Sequence, residues 1–116
     1  MTLGEICKTL NATSVTDNPP LDREIQIGCA SDLMSDVLAF SQSNAILLTG
    51  LVAPQSVRTA EIADILAVCY VFKKQPPPET IELAEENGIP LFVSPLTLFV
   101  ASGKLYEAGL PGCQSQ

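Results

Sequence analysis

The order of apolar and polar residues divides the chain into alternating helical and extended segments. Apolar residues recur at helical spacing in several stretches, and short, almost continuous apolar runs lie between them. The predicted helices cover residues 2–11, 31–44, 54–66, 79–87 and 94–106, and the predicted strands cover 25–30, 45–49, 67–72 and 89–93. Such apolar runs are typical of strands that helices cover on both faces. We therefore predict a single-domain three-layer α/β sandwich, in which right-handed crossovers join a mostly parallel sheet of about four strands.

Small polar residues predict where the helices begin. Thr2 and Glu5 have the spacing of a capping box, in which each side chain accepts a hydrogen bond from the other residue's backbone. Ser31 or Asp32 is predicted to cap the second helix, and Ser94, which a proline follows, is predicted to cap the last one. These side chains therefore have an ordinary structural interpretation as well as a functional one.

Composition and charge limit the classes of partner. The chain has 116 residues, of which 47% are hydrophobic, and a mean hydropathy of +0.29, which suits one α/β domain over residues 1–110 and a flexible tail over 111–116. Thirteen acidic and six basic residues give a net charge of −7, which disfavours nucleic acid and anionic membrane surfaces as partners. No apolar run is long enough to span a bilayer, so a cytoplasmic protein is expected.

The cysteines give no indication of a metal site. Four cysteines are scattered along the chain without a short Cys-x-x-Cys spacing, and the sequence has no histidine, so neither a zinc site nor another cofactor is predicted. Cys29 and Cys69 lie in apolar strands, where a thiol usually acts as a small buried hydrophobic group. The alternative is a small enzyme in which Cys29 or Asp32 acts at the end of a strand.

The candidate ligand-binding face lies at the carboxyl ends of the predicted strands. Ligands of open parallel sheets usually bind there, where backbone N–H groups and lysines could hold a phosphate or a carboxylate. Asp22 and Arg23 could form an adjacent ion pair or a turn contact, or Arg23 could bind an anion through two hydrogen bonds. For each of these residues, capping, turn formation or simple exposure to solvent is the structural alternative. The candidate site residues are Asp22, Arg23, Gly28, Ser31, Asp32, Thr49, Gly50, Lys73, Lys74 and Ser94.

Residues 22–37 resemble the DRTGG domain family. The matching positions are Asp22, Arg23, Gly28, Ser31-Asp32-Leu33 and Ser35-Asp36-Val37, and further similarity lies at 88–95 and 103–107. Gln26 stands where the family has its threonine, and Ile27 stands where the family has its first glycine. Gly28 is expected to preserve the strand-to-helix turn, because glycine permits a positive φ and a close backbone approach.

The resemblance implies a regulatory function rather than a catalytic one. DRTGG domains occur within phosphotransacetylases and beside CBS domains in some pyrophosphatases, and they are similar to the N-terminal domain of HPr kinase. By this resemblance the chain is expected to be a free-standing prokaryotic regulator and a homodimer. It would bind a small anionic metabolite such as a nucleotide, or dock on a partner enzyme or signalling protein. Leu98 or Val100, on the outer side of the last helix, is expected to form part of the dimer interface.

Overall fold

A parallel sheet forms the centre of the molecule in the computed structural model, which describes residues 1–113. Five strands lie in the order β1-β5-β4-β3-β2, and β2, β3, β4 and β5 are parallel neighbours in sequence order. β1 pairs antiparallel with β5, with Thr13 opposite Val93. The elements are α1 Leu3–Leu10, β1 Thr13–Ser14, β2 Ile27–Ala30, α2 Met34–Phe40, β3 Ala45–Thr49, α3 Pro54–Ile62, β4 Ala67–Tyr70, α4 Pro78–Glu86, β5 Leu91–Val93 and α5 Leu98–Glu107.

Helices cover both faces of the sheet and bury two apolar cores. α1 and α5 cover one face, where Leu3, Ile6 and Leu105 pack against Ile46 and Phe92. The second core, on the other face, contains residues of α2, α3 and α4. Every residue of β3, β4 and β5 is buried, as expected for strands covered on both sides. The predicted three-layer α/β sandwich is confirmed.

Local sequence signals explain several element boundaries. The Thr2–Glu5 capping box is present, because the Thr2 side chain accepts from the Glu5 N–H at 3.2 Å and Glu5 accepts from the Thr2 N–H at 2.8 Å. Pro54 and Pro78 each stand in the first turn of their helix, where no backbone N–H donor is needed. Gly88 has a φ of +68° just after α4, the left-handed conformation in which a helix commonly ends.

Two predicted helix caps are wrong. α2 begins at Met34 after Leu33, which makes no capping hydrogen bond through its side chain, so neither Ser31 nor Asp32 caps this helix. α5 begins at Leu98, and its cap is Thr97, whose side chain accepts a hydrogen bond from the Val100 N–H. The cap of α2 lies one or two residues later than predicted and that of α5 three residues later, because Asp32 and Ser94 have partners in other parts of the fold and Ser31 bonds locally to Leu33.

The strands also differ from prediction at their ends and in number. The sheet has five strands rather than about four, because the two-residue β1 is too short for an apolar pattern to indicate it. β4 ends at Tyr70 rather than at Phe72, since Phe72 has a left-handed φ of 61° that a strand cannot contain. β2 begins at Ile27, two residues later than predicted, and ends at Ala30 as predicted.

The chain beyond α5 returns to the outer edge of β2. Leu110 is buried in the core, the Gly28 N–H donates to the Pro111 carbonyl at 2.9 Å, and Gly112 forms a parallel bridge with Gly28. Of the tail predicted over 111–116, residues 114–116 lie outside the described residues. Across residues 1–113, no helix combines the length and the apolar character needed to cross a membrane.

Candidate functional site

Asp32 joins the carboxyl ends of β2 and β3. Its Oδ1 accepts a hydrogen bond from the Thr49 hydroxyl at 3.0 Å and another from the Gly50 N–H at 2.6 Å. Thr49 is fully buried, and its Oγ1 in turn accepts from the Leu51 N–H at 3.1 Å. Because an ionised acceptor makes stronger hydrogen bonds than a neutral one, this contact fixes the loops that follow the two strands. Asp32 thus connects two loops instead of capping α2.

Lys74 lies close to the same carboxylate. A Cβ placed on Gly50 would lie 3.3 Å from Lys74 Nζ and 3.5 Å from each carboxylate oxygen of Asp32. The Lys74 ammonium also stands 5.7 Å from the centroid of the Phe72 ring. Among residues 1–113 the only ion pair within contact distance joins the Met1 amine to Glu24, so Lys74 and Asp32 approach each other without a direct ion pair. The negative charge of Asp32 nevertheless makes this position unfavourable for a bound anion.

The turn after β4 separates the two adjacent lysines. Phe72 and Lys73 both have left-handed φ angles, 61° and 58°, a conformation that non-glycine residues adopt at some cost. The Lys74 N–H closes the turn by donating to the Val71 carbonyl at 3.2 Å. Two further bonds tie the turn to the loop after β5, from the Phe72 N–H to the Leu96 carbonyl at 2.8 Å and from the Lys73 N–H to the Ser94 carbonyl at 2.9 Å. Lys74 consequently reaches the β3 side of the edge, whereas Lys73 borders a cleft beside β5 and β1.

This cleft, which we call the Lys73 cleft, has a volume of about 510 Å³. Its described lining contains one cation and no carboxylate, together with groups that can form hydrogen bonds. The lining residues are Asn11, Thr13, Val15, Lys73, Gln75, Val93 and Pro95. Other described cavities differ, since the two that contain Arg23 also contain carboxylates, Asp17 and Glu85 in one, Glu61 and Asp64 in the other. The Lys73 cleft is therefore the described cavity whose local charge best suits an anion.

The remaining predicted site residues do not all meet at this edge. Asp22 and Arg23 lie in the segment before β2, and Arg23 borders cavities at the opposite, amino-terminal edge of the sheet, close to Asn87 and Gly88. Ser31 accepts a local hydrogen bond from the Leu33 N–H at 3.0 Å. Because Arg23 directly precedes the strand predicted over residues 25–30, a parallel topology by itself puts it on the amino-terminal side of the sheet.

Ser94 and Gly28 have structural contacts that differ from the predicted ones. Ser94 is fully buried, donates its hydroxyl hydrogen to the Leu10 carbonyl at 2.6 Å and accepts from the Leu96 N–H at 3.2 Å. Gly28 does not have a positive φ, although it does permit a close approach: a Cβ there would lie 3.2 Å from Leu110 Cδ2. Both residues therefore serve the packing of the fold, and the Ser94 hydroxyl is already bonded to two backbone groups.

Two cavities were not predicted from the sequence, the Lys73 cleft and an apolar cavity beside α5. The apolar cavity has a volume of about 330 Å³ and is bounded by β2, α5 and the segment 110–112. Phe99 and Tyr106 stand at its rim with 88% and 74% of their surfaces exposed. Leu98, predicted to face outward, instead packs partly buried against the core. The spacing of Phe99 and Tyr106, seven residues apart, could have indicated this cavity, because it puts both side chains on one side of α5.

The environment of Cys29 does not favour nucleophilic catalysis. Burial, together with the neighbouring Cys113 thiol, raises the pKa of Cys29 to about 12. A reactive cysteine needs the opposite change, because the thiolate is the nucleophile. Burial likewise raises the pKa of Cys7 to about 11 and that of Cys69 to about 12. The raised pKa of Cys29 therefore does not support the alternative of a small enzyme that uses this thiol.

The fold is similar to that of a known regulatory region. A crystal structure of the CBS and DRTGG domains from the regulatory region of Clostridium perfringens pyrophosphatase, complexed with its activator diadenosine tetraphosphate, matches the chain with a TM-score of 0.74 and 20% sequence identity. The match covers 95% of this chain and 47% of that one, so the chain spans about half the length of the solved structure. No protein-family model and no curated protein matches the chain. The DRTGG-like fold indicated by residues 22–37 is confirmed.

Proposed function

We propose that the protein is a non-catalytic regulatory module that binds a small anionic ligand, such as a nucleotide, in the Lys73 cleft. The observation that carries the proposal is the presence of Lys73 without a carboxylate among the lining residues of that cleft. In a chain with a net charge of −7, an anion is repelled over most of the surface. Among the described cavities, this cleft is the one whose lining offers a cation and no acidic group to offset that repulsion.

The size and the polar groups of the cleft are suitable for such a ligand. Its volume of about 510 Å³ falls within the range of known small-molecule sites, roughly 300–1,000 Å³. The Lys73 ammonium would contact a phosphate, while the Thr13 hydroxyl and the amides of Asn11 and Gln75 could form hydrogen bonds to a ribose or a base. The similar structure from the pyrophosphatase was obtained with diadenosine tetraphosphate, which supports a nucleotide as the first ligand to test.

Calorimetric titration with diadenosine tetraphosphate, ATP and AMP tests the proposal, with a thermal melt at each ligand concentration. A ligand that binds only the folded state stabilises it by about 2.7 kcal/mol at a hundredfold excess over Kd. We expect Lys73→Ala to weaken binding by roughly tenfold, as for the loss of one contact between an ammonium and a phosphate. Lys104→Ala is the matched control, because Lys104 is exposed and borders none of the described cavities.

Equal affinity in the wild type and Lys73→Ala would mean that the anion binds elsewhere, and the proposed site in the Lys73 cleft would then be wrong. If Lys74→Ala, but not Lys73→Ala, weakened binding, the ligand would lie beside Asp32 instead. The absence of heat and of a melting shift with all three nucleotides would count against a nucleotide ligand.

A second candidate function is contact with another protein, through homodimerisation or docking on a partner enzyme. The observation that favours it is the exposure of Phe99, Val100 and Tyr106 on α5, because large apolar groups on one helix face often mark an interface. Sedimentation velocity across a range of concentrations tests the homodimer. We expect Phe99→Ser to shift the protein toward the monomer, and a wild type that sediments as a monomer at every concentration would refute self-association.

A further inference from the structure

We propose that Cys29 and Cys113 form a reversible disulfide that fastens the segment after α5 to the edge strand β2. The parallel bridge between Gly28 and Gly112 carries the inference, because the next residue on each chain segment is a cysteine. Paired positions in parallel strands direct their side chains to the same face, and the strands lie about 4.8 Å apart. That spacing is within the range of about 4.4–6.8 Å between the Cα atoms of a disulfide.

Side-chain contacts agree with this register. Cys113 Sγ lies 3.9 Å from the Gly28 carbonyl oxygen, and the Cys113 thiol is close enough to Cys29 to raise its pKa together with burial. Both cysteines are free and half-buried, and both border one groove of about 280 Å³. The groove gives a small reagent access to the pair.

The groove also indicates the class of oxidant. Its other lining residues include Asp36, and no lysine or arginine is among them. A neutral low-molecular-weight disulfide would therefore enter more readily than an anionic one. The Cys113 thiolate attacks one sulfur of that reagent and releases the first small thiolate. Cys29 then gives its proton to the released thiolate while its sulfur attacks the Cys113 sulfur, which releases the second small thiolate. Two protein thiols and one small disulfide become one protein disulfide and two small thiols.

The other pair of cysteines is less accessible. Cys7 lies close enough to Cys69 to affect its pKa, although burial is the larger cause. Cys69 is only 1% exposed and lies inside β4, so a reagent cannot reach it without opening the core. Oxidation of the folded protein should accordingly select Cys29 and Cys113.

Tryptic mapping after oxidation with 2-hydroxyethyl disulfide tests the proposal. Each cysteine falls in a different tryptic peptide: 1–8, 24–58, 59–73 and 105–116. We expect peptide 24–58 to be linked to peptide 105–116 in the folded protein, and the link to disappear with excess dithiothreitol. In urea this preference should be lost, because the long loop between these cysteines makes them an improbable pair in an unfolded chain.

A thermal melt provides the second measurement. A disulfide that closes so long a loop should raise the Tm by roughly 10 °C, and Cys113→Ser should abolish the increase. Cys7→Ser is the matched control and should retain it. A link between peptides 1–8 and 59–73, a link between two molecules, or four free thiols after treatment would overturn the proposal. The mapping of the wild type decides the question even where a variant fails to fold.

Discussion

The hydrogen bonds of Asp32 allow a direct test of whether this residue joins two strands or serves its own helix. The test is a double-mutant cycle with Asp32→Ala, Thr49→Val and the combined variant. Thr49→Val keeps the shape of a fully buried side chain and removes the hydroxyl, which donates to Asp32 at 3.0 Å and accepts from the Leu51 N–H at 3.1 Å. Asp32→Ala removes this acceptor and also the acceptor of the Gly50 N–H at 2.6 Å. A helix-capping role would involve neither partner.

The structure fixes the expected magnitudes. A hydrogen bond to a charged group contributes about 1.5–3 kcal/mol to the free energy of unfolding, but Asp32 is exposed and water can replace part of the contact. We expect Asp32→Ala to cost about 1.5–2 kcal/mol, because it removes two such bonds, and Thr49→Val to cost about 1.5–2 kcal/mol, because the Leu51 N–H loses its acceptor as well. The two changes share one bond, so the combined variant should be less destabilised than the sum by about 1 kcal/mol.

Urea denaturation at neutral pH, followed by circular dichroism, measures all four free energies of unfolding. The slope against urea concentration must remain constant across the variants for the comparison to hold. Exactly additive single effects would show that Asp32 and Thr49 do not interact in solution, and the strand-joining role would then be refuted. A useful control is Asp36→Ala, which alters the first turn of α2 and should show no coupling with Thr49→Val.

Two further predictions concern buried polar groups. Burial raises the pKa of Cys69 and of Tyr70 to about 12, so the folded state binds these protons more tightly than the unfolded state does. The free energy of unfolding should therefore fall as the pH rises from about 9 toward 12. Urea midpoints between about pH 8 and pH 11 measure this loss; Tyr70→Phe should make it smaller, and a flat profile would contradict the assignment. Ser94→Ala should cost about 1–3 kcal/mol by urea denaturation, because the Leu10 carbonyl and the Leu96 N–H each lose a partner, whereas a cost near zero would mean that water replaces the hydroxyl.

Sequence reasoning succeeded where the signal is local. Thr2 and Glu5 stand within one turn of each other, so their reciprocal cap could be predicted from spacing alone. Residues 45–49 form a buried strand because nearly all of their side chains are apolar, and such a run is stable in a small domain only where both faces of the strand are covered. The same strands and helices, taken in order, were enough to predict the layers of the sandwich.

The errors have the same physical origin, which is a partner distant in sequence. Asp32 and Ser94 look like helix caps, but their side chains bind Thr49 and Gly50 in one case and the Leu10 carbonyl in the other. No local pattern indicates contacts across 17 or 84 residues. The separation of Lys73 from Lys74 likewise depends on a turn with two left-handed residues, a conformation that phenylalanine and lysine give no reason to expect.

The two outer edges of the sheet determine how copies of this chain could aggregate. At one edge β1 has only two residues, and at the other the Gly28 N–H is already bonded to the Pro111 carbonyl. Neither edge therefore presents a long row of unpaired backbone groups on which a strand from another molecule could be added. Both edges of the sheet therefore disfavour the growth of extended intermolecular sheets. Removal of the short segment after Leu110 would expose the backbone of β2 and weaken this protection.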